Sequence, residues 1–261
     1  PIFEHNLYNP STDKLKNKIA IVTGGDSGIG RAVSISLAKN GCDVCIVYLN
    51  EDEDANLTKR KIEDLNKKCL LIRGDISCSK FCDEIVKKTL DEFGKINILI
   101  NNSAVQYENK NITDIDDEMF DKTFKTNVYG AFYLTKRVVP HLKKGDSIIN
   151  TTSVVSYNGH ETLLDYSMTK GALTTFTRSL ALQLAPKGIR VNAVAPGPVW
   201  TPLIVSSFDE NHVSTFGQDT PLKRAGQPVE CAEAYVFLAS ENASYITGQT
   251  IHINGGIMVN S

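Results

Sequence analysis

The sequence predicts an α/β fold, a single doubly wound domain whose seven-stranded parallel sheet carries helices on both faces. Three observations predict it. Seven short apolar runs, rich in Ile, Val and Leu, end at Gly, Asn, Asp or Ser, and continuous apolar runs of that length suit strands buried on both faces. Stretches with helical period separate them, and strand–helix alternation makes a parallel sheet. No repeat of fixed period and no low-complexity segment interrupts the 261 residues. One domain therefore covers 18–261, preceded by a polar arm at 1–17.

The first strand is "KIAIVTGG". The helix after it, "GIGRAVSISLAKNG", puts Ile29, Val33 and Leu37 on one face and stops at Gly41. "CDVCIVYL" and "CLLIRGD" are the second and third strands, and the acidic run Glu51–Asp54 between them is a solvated helix start. "KFCDEIVKKTLDEFG" repeats the helical pattern with Phe81, Ile85 and Leu90 and stops at Gly94. "INILINNS", "DSIINTTS", "IRVNAVAPG" and "GQTIHING" complete the sheet. "DYSMTKGALTTFTRSLALQLAPKG" is a long helix with Asp165 near its start and Gly188 at its end. The stretch after "APGPVWTPL" breaks the rhythm, and an insertion at a strand end is placed to be a substrate lid, about 202–220.

Bulk properties exclude several classes. Hydrophobic residues make up 41% and charged residues 22%, enough for a sizeable core. Net charge is −2 and no basic stripe appears, so no nucleic-acid partner is expected. No apolar run reaches the roughly 18 residues of a membrane span, and the polar N-terminal stretch does not read as a signal peptide. Cys42 and Cys45 form a CxxC, but positions three apart on a strand face opposite ways, so no metal site is expected. The six cysteines read as small hydrophobes of a reducing, cytoplasmic protein, and the N-x-S/T triplets at Asn56, Asn101, Asn111, Asn150 and Asn242 as chance matches.

Chemistry concentrates at strand ends. "IVTGGDSGIGRAV" joins the first strand to the first helix; Gly24, Gly28 and Gly30 keep side chains away where backbone must approach a ligand, and the helix start offers N–H groups to a pyrophosphate. Tyr166 and Lys170 stand one helical turn apart and share a face. A free phenol has a pKa of about 10, and a neighbouring cation lowers it, which makes Tyr166 a candidate general acid/base. Ser153 follows "DSIINTT", where it would orient a substrate oxygen toward Tyr166.

These motifs, with "NNSA" at 101–104, Asn127 and "APGPVWT" at 195–201, resemble the short-chain dehydrogenase/reductase family in order and spacing from Ile19 to the "NGG" at 254–256. "GGDSGIG", "YLNEDEDA" and "SFDE…TPLKRAGQP" resemble its bacterial branch with an N-terminal extension, the general-stress and glucose/ribitol-dehydrogenase-like oxidoreductases. The resemblance implies a Rossmann-type domain that binds NAD(P) and transfers a hydride between the nicotinamide and a carbonyl or secondary alcohol. It implies that Lys170 also holds the nicotinamide ribose, and that Asn127 bends its helix and holds a water linked to Lys170. It assigns cofactor contacts to Asp26, Ser27 and Ile29 of the glycine loop, to Asp75 and Ile76 at the adenine, to Asn101, Asn102, Ser103 and Ala104 on the ribose side, and to Pro196, Gly197, Val199 and Thr201 at the nicotinamide. "NNSA" departs from the commoner "NNAG", so Ala104 lacks glycine's freedom.

The residue at the end of the second strand, which discriminates NAD from NADP in the family, is Tyr48, followed by Leu49 and Asn50, and fits neither rule. The acidic run would repel a 2′-phosphate, which favours NAD. Candidate substrate contacts are Gln106, Val155, His160, Leu163 and Trp200, with His160 at the rim. The family resemblance implies a homotetramer, with the helices of Asn127 and Tyr166 packed across an interface. Alternatives are a 3-ketoacyl-thioester reductase and a non-catalytic NAD(P)-binding sensor or scaffold; the intact Ser153, Tyr166 and Lys170 argue against the latter. Enoyl reductases of the superfamily separate their Tyr and Lys by six residues, where this chain has three.

Overall fold

The structure is a computed structural model and describes residues 13–207 and 210–259. Seven strands, β1 (Ile19–Thr23), β2 (Asp43–Tyr48), β3 (Cys69–Arg73), β4 (Ile98–Asn101), β5 (Ser147–Thr151), β6 (Arg190–Pro196) and β7 (Thr250–Ile253), form one sheet. Every pairing is parallel and the order is β3-β2-β1-β4-β5-β6-β7. All seven apolar runs are strands. Those of β1, β4, β5 and β6 are buried throughout, as two covered faces require.

The helices are α1 (Gly28–Lys39), α2 (Asp52–Glu63), α3 (Ser79–Phe93), α4 (Asp117–Phe124), α5 (Ala131–Val138), α6 (Val155–Asn158), α7 (Leu164–Leu184), α8 (Pro202–Ser207), α9 (Glu210–Thr215) and α10 (Pro228–Ala239). One core cluster joins α1, α2 and α10 to the sheet; the other joins α3, α5 and α7 to its opposite face. Cys42 belongs to the first and Cys45 to the second, so the two thiols do diverge. Burial holds both thiols above their ordinary pKa.

The chain between α4 and α5 is a π-helical turn, Lys125–Gly130. The sequence shows only a helical stretch with an awkward Asn there; the wider turn is a finding of the structure. Of the arm expected at 1–17, residues 1–12 lie outside the described residues. From Asp13 onward the chain is tied in: Leu15 is buried and its N–H donates to the Asn40 carbonyl at 2.8 Å. The segment 202–220 holds α8 and α9. Among the described residues no helix is long and apolar enough to cross a membrane.

Candidate active site

Strand order reverses direction between β1 and β4, and the crevice at the carboxyl ends of strands beside such a switch is where doubly wound sheets bind ligands. A cavity of about 1350 Å³ opens there. That exceeds the roughly 300–1000 Å³ of a single small-ligand site and leaves room for a dinucleotide with a substrate beside it.

Gly24, Asp26, Ser27, Gly28 and Ile29 form one wall. Gly28 has φ +52°, and a Cβ on Gly30 would stand 1.8 Å from the Gly24 carbonyl oxygen. Gly30 does not border the cavity; its missing side chain lets α1 pack against the loop. Ser27 makes no side-chain cap, so the first N–H groups of α1 keep their capacity for an anion. This glycine cradle fits a dinucleotide's pyrophosphate. A brace that the sequence did not reveal fixes the loop: the Arg31 Nε and Thr58 Oγ1 both donate to the Asp26 carbonyl at 2.9 Å, and Arg31 also pairs with Asp54. Burial, opposed by local hydrogen bonds and helped by Glu51 and Asp54, raises the Asp26 carboxyl above its ordinary pKa.

Tyr48 and Leu49 at the end of β2, and Asp75 and Ile76 after β3, border the cavity. The Tyr48 hydroxyl donates to Asp52 at 2.8 Å, and Arg73 reaches the same carboxylate at 2.9 Å. Asn50 is exposed and outside the cavity wall. Asn102, Ser103 and Ala104 border the cavity, but Asn101 does not: it is buried within the sheet and donates to Thr135 and Asn150. The Thr23 hydroxyl accepts from both the Asn102 and Ser103 N–H groups, and Ala104 takes no left-handed φ. Pro196, Gly197, Val199 and Thr201, at and after the end of β6, border the same cavity.

Ser153, two residues past β5, borders the same cavity as Tyr166 and Lys170. Lys170 is 1% exposed; its Nζ donates to the Thr151 carbonyl at 2.7 Å and stands 5.4 Å from the Tyr166 ring centroid. Thr151 is steadied in turn by Tyr235, whose hydroxyl lies 2.8 Å from the Thr151 Oγ1. The sequence-based expectation that the cation lowers the phenol's pKa is corrected. Burial pushes Tyr166 up to about 12, with the Ser153 hydroxyl acting the other way, and burial pushes Lys170 down to about 7. Desolvation favours the neutral form of each group.

Asn127 does not border the cavity. Its Oδ1 accepts from the Val105 N–H at 2.8 Å, and its Nδ2 donates to the Val105 carbonyl at 2.9 Å and to Thr169 at 3.0 Å. The side chain therefore clamps the strand-end segment after β4 to the helix that carries Tyr166. Gln106, Val155, His160 and Leu163 border the cavity, with His160 exposed at its rim. Trp200 does not; its ring packs on Phe216 at 5.6 Å, and Phe216 is the one that faces the cavity.

A parallel sheet with a glycine-cradled crevice and a Ser, Tyr and Lys at its far end defines a nucleotide-dependent oxidoreductase. Residues 24–258 match the family model described as enoyl-(acyl carrier protein) reductase, and the chain belongs to the short-chain dehydrogenase/reductase family of NAD(P)-dependent oxidoreductases. It is 54% identical to general stress protein 39 of Bacillus subtilis, over 99% of this chain and 90% of that one. It is 48% identical to the chloroplastic NADPH-dependent aldehyde reductase 1 of Arabidopsis thaliana, over 100% and 93%. A short-chain dehydrogenase from Burkholderia cenocepacia in complex with NADP superposes with a TM-score of 0.88 at 29% identity, covering 93% of this chain and 98% of that one.

Proposed function

We propose that the hydride exchange between nicotinamide and a carbonyl or secondary alcohol uses Tyr166 as general acid/base, Ser153 as the hydroxyl that orients the substrate oxygen, and Lys170 as the group that holds the cofactor ribose and steadies the phenol. The carrying observation is the placement of these three side chains on one cavity wall beyond the glycine cradle. The nicotinamide, when bound, supplies or accepts the hydride. In reduction Tyr166 donates its proton to the carbonyl oxygen, and its raised pKa keeps that proton available at neutral pH. In oxidation the phenol must lose it, and Lys170 in its protonated form favours that. The three-residue spacing of Tyr166 and Lys170 supports carbonyl over enoyl chemistry.

We further propose NAD as the preferred cofactor. Asp26, Glu51 and Asp54 border the cavity near the end of β2, and Arg73 is engaged by Asp52, an arrangement that disfavours a 2′-phosphate. A homotetramer is proposed on the apolar face of α5 and α7, where Tyr129 and Phe132 are exposed beside a hollow of about 350 Å³ lined also by Leu173 and Phe176. Six unpaired cysteines, five of them buried, support a reducing, cytoplasmic setting.

Titration with NADH and NADPH, read by nicotinamide fluorescence with a carbonyl panel in the same cuvettes, tests this reading. Cofactor binding followed by its oxidation is expected, with NADH tighter. Tyr166→Phe should keep binding and lose turnover about 10²-fold or more; near-normal turnover would remove Tyr166 from its role.

A further inference from the structure

The largest fully buried side chain among the described residues is Tyr235, on α10. Its neighbours on that helix, Ala232, Val236 and Ala239, are buried and apolar. A phenylalanine would fill this position, and a hydroxyl is costly there unless it is paired. The pair it makes is with the Thr151 Oγ1, at 2.8 Å. Burial raises the Tyr235 pKa, so the hydroxyl keeps its proton.

The direction of that bond follows from the groups beyond it. The Asn102 Nδ2 donates to the Thr23 carbonyl at 3.1 Å and to the Gly24 carbonyl at 3.3 Å. Both amide hydrogens are thereby used, and the Asn102 Oδ1 accepts from the Thr151 Oγ1 at 3.3 Å. A threonine hydroxyl has one hydrogen, so Thr151 must accept from Tyr235. The result is a chain of donors that runs from Tyr235 through Thr151 and Asn102 to the first glycine of the cofactor loop.

Thr151 has a second duty. Its carbonyl accepts from the Lys170 Nζ at 2.7 Å. It stands one residue past the β4–β5 ladder, which ends at Asn101 and Asn150, and pairs only with Val194 of β6. On its β4 side no ladder holds it, and the side-chain bonds to Asn102 and Tyr235 take that place. Tyr235 belongs to the core on the α10 face of the sheet, whereas Lys170 comes from α7 on the opposite face. The strand end is thus gripped from both sides of the sheet.

We propose that Tyr235 is a positioning residue: through the Thr151 hydroxyl it sets, at one point, the lysine that serves the reaction and the asparagine that holds the glycine loop. The lysine end of this link rests on the carbonyl-reductase reading above; the loop end does not.

Tyr235→Phe keeps the ring and removes the donor. It should weaken NADH binding about threefold and lower kcat about tenfold on a carbonyl of the panel that the wild type reduces, measured well below its Tm. In a Thr151→Val background, which already lacks the hydroxyl, the same change should cost nothing further. A folded Tyr235→Phe protein with a lower Tm but wild-type kcat and NADH affinity overturns the proposal, as does a loss of kcat that persists in the Thr151→Val background. If Tyr235→Phe folds poorly, two threonine variants decide: Thr151→Val should lose about tenfold more kcat than Thr151→Ser, which keeps a hydroxyl, and equal losses overturn the link. A wild type that reduces no carbonyl overturns the reductase reading itself. The NADH titration of Tyr235→Phe then still reads the loop end, and an unchanged affinity overturns that.

Discussion

Lys170 is a buried amine that donates to a backbone carbonyl, and its cost should be visible in the stability of the chain. In the unfolded state it holds its proton up to the ordinary value of 10.5; in the fold it releases it near 7. Between those values the unfolded state binds one more proton than the native state, so stability rises with pH. The slope approaches 1.36 kcal/mol per pH unit, and integration between pH 7 and 9 gives roughly 2 kcal/mol. For a chain of this size that is a shift of roughly 4–8 °C in Tm.

Replacement Lys170→Met removes the titration. It also leaves the Thr151 carbonyl without its donor, a loss that does not vary with pH. The informative quantity is therefore the difference between wild type and variant, followed by thermal or urea unfolding of the cofactor-free protein at fixed concentration. The wild type should gain about 2 kcal/mol on the variant from pH 7 to pH 9. Groups common to both proteins, including the buried cysteines, cancel. A difference that stays flat over that interval would show that Lys170 keeps its proton in the fold and would refute the desolvation argument. Turnover should be lost in the variant at every pH.

Gly30→Ala places a methyl group against the Gly24 carbonyl oxygen, and the loop must shift to admit it; loss of NADH binding in the fluorescence titration, with a lowered Tm, is expected. Asn127→Asp keeps the acceptor for the Val105 N–H but turns a carboxylate toward the Val105 carbonyl; kcat should fall by about tenfold or more while cofactor affinity changes little, and equal loss of both would deny the clamp a role near the substrate. Phe132→Glu puts a charge on the apolar α5–α7 face, and sedimentation or light scattering should show smaller assemblies than the wild type forms.

The strands were legible because their signal is local: an apolar run covered on both faces needs no knowledge of its neighbours. The glycine loop and the Tyr166/Lys170 pair were legible for the same reason, since fixed spacing on a helix or turn fixes direction. What was not legible depends on partners far along the chain. Asn127 meets Val105 from twenty-two residues away, and Arg31 braces Asp26 with the help of Thr58 on α2. The π-helical turn that carries Asn127 has no local signature beyond a poor helix former. Trp200 sits next to cavity residues in sequence, yet it is Phe216 that reaches the cavity, because the two rings pack together and only one can face inward. Asn101 was displaced for a similar reason: alternate residues at a strand end point to opposite faces, so Asn102 takes the cavity side and Asn101 the interior.

The sign of the Tyr166 shift could not be read from spacing at all. Spacing gives the distance between phenol and amine, whereas the pKa follows from the balance between that distance and desolvation, and burial is a property of the whole fold. Here desolvation prevails on both groups, so the chain by itself holds a protonated phenol beside an amine that parts with its proton near neutrality. That state suits giving a proton to a carbonyl oxygen. Taking one from an alcohol requires positive charge near the phenol, and the ammonium form of Lys170 is the chain's own source of it. The two directions of the reaction therefore make opposite demands on the same pair, and the buried position of Lys170 lets small changes in its surroundings shift the balance between them.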